Sequence, residues 1–407
     1  MRRLAFLRDN APWLGAGFLL TFLSSFGQTF FISLFAGEIR EGFGLTHGQW
    51  GGIYSLGTTV SAIVMIWAGG LTDHFRVRGL GAIVLGLLML ACLAMSLNPV
   101  WWLLPFVIFA LRFTGQGMAS HLAVVAMARW FVATRGKALA VATLGFALGE
   151  ALLPLIFVAL MVMIDWRILW VVAAVIAVAG IPILMLLLRQ ERTPQAISQS
   201  GQSLGMEGRH WTRNQSFGHW LFWFMIPALL GPSAFNTAFF FHQVHFAEIK
   251  SISHIELVAL FPIYTVVGII AMVTSGWALD KWGTARLMPF MQLPMVVAFL
   301  VFAYASSAPS MLIGFVFLGL TTGFNTTLPA AFWAEFYGTR YIGSIKAMAA
   351  AVMVFGSAIG PAVTGFGLDF GVGIETQYVG VSVYFVFATI MMTVGIQRAR
   401  PLLPLTA

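Results

Sequence analysis

The sequence predicts an all-α integral membrane protein: twelve transmembrane helices in two pseudo-symmetric halves of six. Three observations predict it. First, only 9% of the 407 residues are charged while 59% are hydrophobic, against roughly 25% charged in soluble proteins, so no water-soluble interior could hold the hydrocarbon present. Second, about 240 apolar residues divided among spans of ~20 give roughly twelve helices. Third, the first half of the chain recurs in the second. Gly69-Gly70-Leu71-Thr72-Asp73 returns 207 residues later as Gly276-Trp277-Ala278-Leu279-Asp280, and Ser25-x-x-Gln28-Thr29-x-Phe31 returns 208 residues later as Ser233-x-x-Asn236-Thr237-x-Phe239.

Apolar runs bounded by short polar or Gly/Pro-containing breaks place the first six helices near 12–36, 49–70, 80–97, 101–127, 137–163 and 167–188. The second six fall near 220–246, 256–277, 286–306, 309–334, 343–368 and 377–396. The first run follows Met1-Arg2-Arg3 as a secretion signal does, yet it lacks a small-residue cleavage signature and contains Gly27-Gln28-Thr29, so a retained helix is expected. Gln190 to His219, rich in Ser, Gln, Gly and charge, cannot stay in hydrocarbon and reads as a linker between halves spanning 1–189 and 220–407.

The 22 basic residues outnumber the 14 acidic ones, and their placement is a topology signal. Eighteen fall in loops on one side, three (Arg40, Arg167, Lys250) on the other, and Arg112 lies inside a helix. Basic residues near helix ends are retained in the cytoplasm, so both termini and the linker are expected there, in a bacterial inner membrane. The positive balance is therefore no nucleic-acid footprint, and the single Cys92 forms no intrachain disulfide. An ATP-driven pump is excluded because the sequence contains no G-x-x-x-x-G-K-[ST] loop. Catalysis is equally unexpected, since neither an H-E-x-x-H nor a Cys/His nucleophile pair is found. No cofactor or metal is expected. His242, His245 and His254 are read as interfacial side chains, and the chain is expected to act as a monomer in the lipid bilayer.

Several side chains carry candidate chemistry. Arg112 lies ~16 Å along its helix from Trp101 at 1.5 Å per residue, near mid-membrane. A guanidinium there must find an anion, carbonyls or a wet cavity, so Arg112 is either a pathway residue or a structural tie. Glu150, ~20 Å from the outer end of helix 5, lies at a similar depth and is either a proton carrier or a permanent ion-pair partner. Gln28, Thr29, Asn236, Thr237 and Asn325 are uncharged polar residues in helices 1, 7 and 10, suited either to line a cavity or to join helices by hydrogen bonds. Gly145/Gly149 and Gly356/Gly360 mark small-residue packing seams.

The loop segment Gly69-x-Leu71-x-Asp73-His74-Phe75-Arg76-Val77-Arg78, its second copy from Gly276 through Asp280 to Arg286, and Arg112-x-x-Gly115-Gln116-Gly117 together resemble the major facilitator superfamily. The resemblance covers nearly the whole chain. It implies secondary transport by two facing six-helix halves, and it implies a gating role for Gly69, Asp73, Arg76, Arg78, Gly276, Asp280 and Arg286 as a cytoplasmic latch. Arg76 stands where the family usually has a glycine, which the second copy keeps as Gly283. Trp130-Phe131-x-x-x-Arg135-Gly136-x-Ala138 is locally similar to the branch containing monocarboxylate porters and oxalate/formate exchangers. The implied function is proton-coupled symport of a small polar or anionic organic solute, Arg112 attracting the solute and Glu150 carrying the proton. Two alternatives are a proton-coupled exporter of hydrophobic compounds, suggested by Phe30, Phe31, Phe239, Phe240 and Phe241, and a non-transporting receptor or assembly factor on the same fold.

Overall fold

The computed structural model describes residues 2–131, 134–190 and 204–404, with the side chains of residues 2–5 and of Asp73, Arg135, Asp280 and Gly343 outside that description. The described residues are helical and contain no strand. Eleven helices are long and apolar enough to cross a membrane, and a twelfth crossing is a bent pair, Ala11–Gly27 with Thr29–Phe43. We name the bent pair α1a and α1b. The helices of the first set are then α2 (His47–Ala68), α3 (Val77–Leu97), α4 (Trp101–Trp130), α5 (Gly136–Met161) and α6 (Trp166–Leu187). The second set is α7 (Trp220–Phe241), α8 (His254–Leu279), α9 (Thr284–Tyr304), α10 (Ala308–Tyr337), α11 (Ser344–Asp369) and α12 (Ile374–Leu402).

The helices' outer surfaces are what a bilayer requires. Trp67, Ile83, Val162, Val273, Trp277 and Val363 are exposed, an arrangement that is costly in water and costless against acyl chains.

The chain divides into two compact units, Met1–Ser198 with Phe240–Val244, and Gln199–Phe239 with His245–Ala407. In the first unit α1a packs on α5, α3 on α6 and α2 on α4. The seams are set by glycines whose missing side chains let backbones touch: a Cβ on Gly145 would come within 2.1 Å of the Phe18 carbonyl, and one on Gly149 within 2.1 Å of Ser25 Oγ. Thr21 Oγ1 donates across this seam to the Ala142 carbonyl at 2.5 Å. The second unit repeats the device, since a Cβ on Gly356 or Gly360 would strike the Leu230 or Ala234 carbonyl at 2.8 and 2.1 Å. At the start of α6 the Asp165-Trp166-Arg167 corner is structural. Asp165 accepts from the Arg167 N–H at 2.8 Å, while Arg167 donates to the Ser96 and Asn98 carbonyls at the end of α3, placing a cation where a helix end presents negative charge.

The linker is more ordered than its composition suggests. Residues 191–203 lie outside the described part, but Met206 and Trp211 are buried in the core of the second unit. The Trp211 N–H donates to the Tyr337 carbonyl at 3.0 Å and its indole N–H to the Met206 carbonyl at 3.1 Å, with Arg209 stacked 4.1 Å over the ring. A reciprocal Thr212/Gln215 cap then starts a short helix, Arg213–Gly218. Trp211→Ala is expected to destabilise the protein by about 3 kcal/mol, as the loss of a fully buried large side chain does; thermal unfolding of the detergent-solubilised protein measures it.

Candidate functional site

The first unit holds a polar cluster built around a fracture in its first helix. The sequence pattern predicts one continuous helix over 12–36; instead Ser24–Gly27 tightens into a 3-10 turn and Gln28 is extended at φ −87°, ψ 154°, so α1a and α1b meet at 45°. A break leaves backbone carbonyls without N–H donors, a serious cost where no water is at hand. Arg112 supplies one donor: its Nη1 donates to the Gly27 carbonyl at 3.1 Å and to Thr29 Oγ1 at 3.3 Å. Tyr54 completes the cluster, its hydroxyl 2.5 Å from Thr29 Oγ1 and its ring 5.4 Å from the guanidinium carbon. Arg112 is only 1% exposed, and among the described residues its Nε has no hydrogen-bond partner.

Two backbone features let Arg112 reach the break. The α4 stretch Arg112–Ala119 is wound as a π-helix, an uncommon widening that concentrates at functional sites. Gly27 and Gly115 also touch backbone to backbone, a Cβ on Gly27 meeting the Leu111 carbonyl at 2.1 Å and one on Gly115 meeting the Gly27 Cα at 2.6 Å. Glu150, half-buried on α5, is not among Arg112's partners: α1a takes Gly149 of α5 at Ser25 and Arg112 at Gly27.

The second unit contains a cavity of about 260 Å³ that gathers Asn236, Thr237 and Asn325 with Ser233, Thr322 and Thr326 on α7 and α10. Met295 and Met353 close its apolar sides. Among the described residues its lining includes no acidic or basic side chain. Asn236 Oδ1 is buried and, among the described residues, without a hydrogen-bond partner.

The five phenylalanines suggested as cavity lining are core residues. Phe31 packs on Phe26, Phe35, Phe157 and Trp170, and Phe239 on Phe246, Phe302 and Phe315. Phe241 lies against Trp50 and Tyr54, Phe30 packs on Phe146, and Phe30 and Phe240 are each 4% exposed.

The chain matches the Major Facilitator Superfamily over residues 17–361 and 244–404. It belongs to the major facilitator superfamily. The fold agrees. A bacterial homologue of the human lysosomal transporter Spinster, inward-facing and unoccupied, superposes with a TM-score of 0.71 at 15% identity, covering 98% of this chain and 99% of that one. The nucleoside transporter NupG superposes with a TM-score of 0.71 at 15% identity, covering 96% and 98%. No curated protein sequence matches the chain. As a major facilitator protein it is a membrane transporter of small molecules and not an enzyme.

The superfamily's loop motif occupies the α2–α3 and α8–α9 turns, and the two copies differ as their sequences foretell. Arg76 takes an ordinary extended conformation, φ −69°, ψ 141°, whereas Gly283 at the matching position has φ +74°, which only glycine adopts cheaply. Gly69 lies against α4, where a Cβ would sit 3.4 Å from His121 Nε2, while a Cβ on Gly276 would meet nothing within 4 Å. The glycine of the second copy is thus not held there by crowding. Arg76 and Arg286 are exposed, Arg78 is half-buried, and the side chains of Asp73 and Asp280 lie outside the described residues. Two ties went unread in the sequence: Arg129 at the end of α4 donates to the Thr72 carbonyl at 2.7 Å, and Thr284 donates to Glu335 near the end of α10.

Proposed function

We propose that this transporter is a proton-coupled symporter that brings a small polar or anionic organic solute across a bacterial cytoplasmic membrane by alternating access, with both termini and the 190–219 linker in the cytoplasm. The observation that carries the reading is α1, broken at Gln28 and tied there by Arg112. Discontinuous helices at membrane depth are tolerated where they line a pathway, and their exposed backbone ends are natural contacts for a polar solute. Arg112 keeps its charge whatever the solute does, so it organises the break. Glu150, on α5 and next to Gly149, which meets Ser25 of α1a, is the group able to gain and lose a proton. Gln28 and Thr29 in the first unit and Asn236, Thr237 and Asn325 in the second supply solute contacts. Asp73 with Arg76 and Arg78, and Asp280 with Arg286, latch the cytoplasmic turns between states.

A similar fold can hold a ligand in an inward-facing state: the Spinster homologue has been solved inward-facing both unoccupied and occupied. The exporter alternative drew on five phenylalanines that are packed in core contacts, so no observation favours it. The test is uptake into proteoliposomes with an imposed pH gradient. A solute panel should yield at least one compound concentrated when the lumen is alkaline and not when the gradient is collapsed. Outward movement of hydrophobic compounds alone would sink the symport reading.

A further inference from the structure

Where the linker enters the second unit, the ends of α7 and α12 carry a basic and aromatic surface. His219 is extended at φ −88°, ψ 132°, so the short helix Arg213–Gly218 turns away from α7 instead of prolonging it. The Trp223 indole N–H donates to the Phe217 carbonyl at 2.9 Å and the two rings meet at 5.1 Å, which folds the end of the short helix back on the first turn of α7. Phe217, Trp220 and Trp223 are all exposed. Arg213, four residues before Phe217 and so its neighbour on one helical face, is exposed as well.

Two further arginines arrive from α12, which runs beside α7 in the opposite direction: a Cβ on Gly231 would strike Tyr384 at 2.6 Å, and one on Gly395 would come within 2.8 Å of Phe224 Cβ. Arg398 and Arg400 lie three and five residues past Gly395, hence ~5–8 Å further along the axis, at the level where α7 begins. Both are exposed. Arg398 is three helical turns from Phe387, which faces outward on α12, so it ends a bilayer-facing stripe. Among the described residues no carboxylate pairs with Arg213, Arg398 or Arg400, and Glu207, the acid nearest to Arg213 in the sequence, is held by Arg209 at 2.8 Å. Guanidinium groups gathered without a counter-ion favour a phosphate, which they meet with paired N–H donors. Exposed rings beside them, at the depth where two spans leave the hydrocarbon, favour a phosphate that carries acyl chains over a free one. We infer that this surface binds an anionic phospholipid of the leaflet on the linker's side, its phosphate held by Arg213, Arg398 and Arg400 and its acyl chains beside Phe217, Trp220 and Trp223. The inference needs only that α7 and α12 cross a bilayer, and it stands apart from the symport reading.

Native mass spectrometry of the full-length protein in detergent, titrated with dioleoylphosphatidylglycerol or dioleoylphosphatidylcholine, reads the apparent Kd of the first bound lipid. Phosphatidylglycerol should bind at least about tenfold more tightly than phosphatidylcholine. Arg213→Gln and Arg398→Gln should each weaken phosphatidylglycerol about fivefold, as the loss of one basic group at an anionic lipid surface predicts, and leave phosphatidylcholine unchanged. Arg8→Gln, which removes an exposed arginine of the first unit, should alter neither lipid. Glycerol 3-phosphate, which has the phosphate and no acyl chains, should not displace phosphatidylglycerol at comparable concentration. Equal affinity for the two lipids, a preference for phosphatidylglycerol that survives both Arg213→Gln and Arg398→Gln, an equal loss in Arg8→Gln, or displacement by glycerol 3-phosphate overturns the inference.

Discussion

Arg112→Ala is expected to reduce both pH-driven uptake and solute exchange by about a hundredfold or more. The side chain is buried and donates to the Gly27 carbonyl and Thr29 Oγ1 across the break in α1. Hydrogen bonds from a charged donor contribute about 1.5–3 kcal/mol each, and two together correspond to roughly a hundredfold or more in a rate that depends on that packing. Removing them strands a helix-end carbonyl at membrane depth and detaches the Thr29–Tyr54 pair from the cation beneath it. Arg112→Lys should recover little, because an ammonium on a flexible stem does not reproduce the planar donor that meets two acceptors from one nitrogen edge. Uptake and counterflow assays on variants matched for membrane expression measure the effect; near-normal exchange in Arg112→Ala would show that the break holds itself.

Glu150→Gln is expected to abolish proton-driven accumulation while leaving exchange at least partly intact. Glutamine keeps the shape of the neutral acid and cannot titrate, so a cycle that needs no net proton movement survives and one that does need it stops. The change in partner that toggles Glu150 need not be a direct pair with Arg112. α1a contacts Gly149, the residue before Glu150, at Ser25 and takes Arg112 at Gly27, so a shift of that helix moves both contacts. Counterflow together with pH-driven uptake separates the two behaviours, and undiminished concentration of solute by Glu150→Gln would leave Glu150 a structural residue.

Much of this was legible from residue types. An arginine in mid-helix, a 207-residue repeat and a one-sided distribution of basic residues are chemical facts about the chain alone, and the twelve crossings, Arg112, Thr29 and the Asn236/Thr237 pair all follow from them. The fracture at Gln28 does not. No proline marks it; it exists because α4 comes close enough at Gly115 for Arg112 to hold a carbonyl of another helix, and tertiary partners of backbone atoms leave no trace in local sequence. Tyr54 escaped for the same reason, since its role depends on Thr29 lying opposite. Asn325 could be nominated by polarity, but its grouping with Asn236 required α7 and α10 to adjoin. The phenylalanines misled because an aromatic residue in a span looks the same whether it faces a cavity or a core. In the linker, Trp211 was the available signal: a large apolar residue in a polar stretch needs burial, and the second unit provides it.

The measurement that bears most directly on coupled transport is the pH inside proteoliposomes loaded with a fluorescent pH indicator, recorded as a transported solute is added outside without any pre-imposed gradient. Coupled symport predicts that the lumen acidifies in step with solute entry for the native protein, and that it fails to acidify for Glu150→Gln although labelled solute still exchanges. Solute entry through the native protein with no change in luminal pH would contradict it.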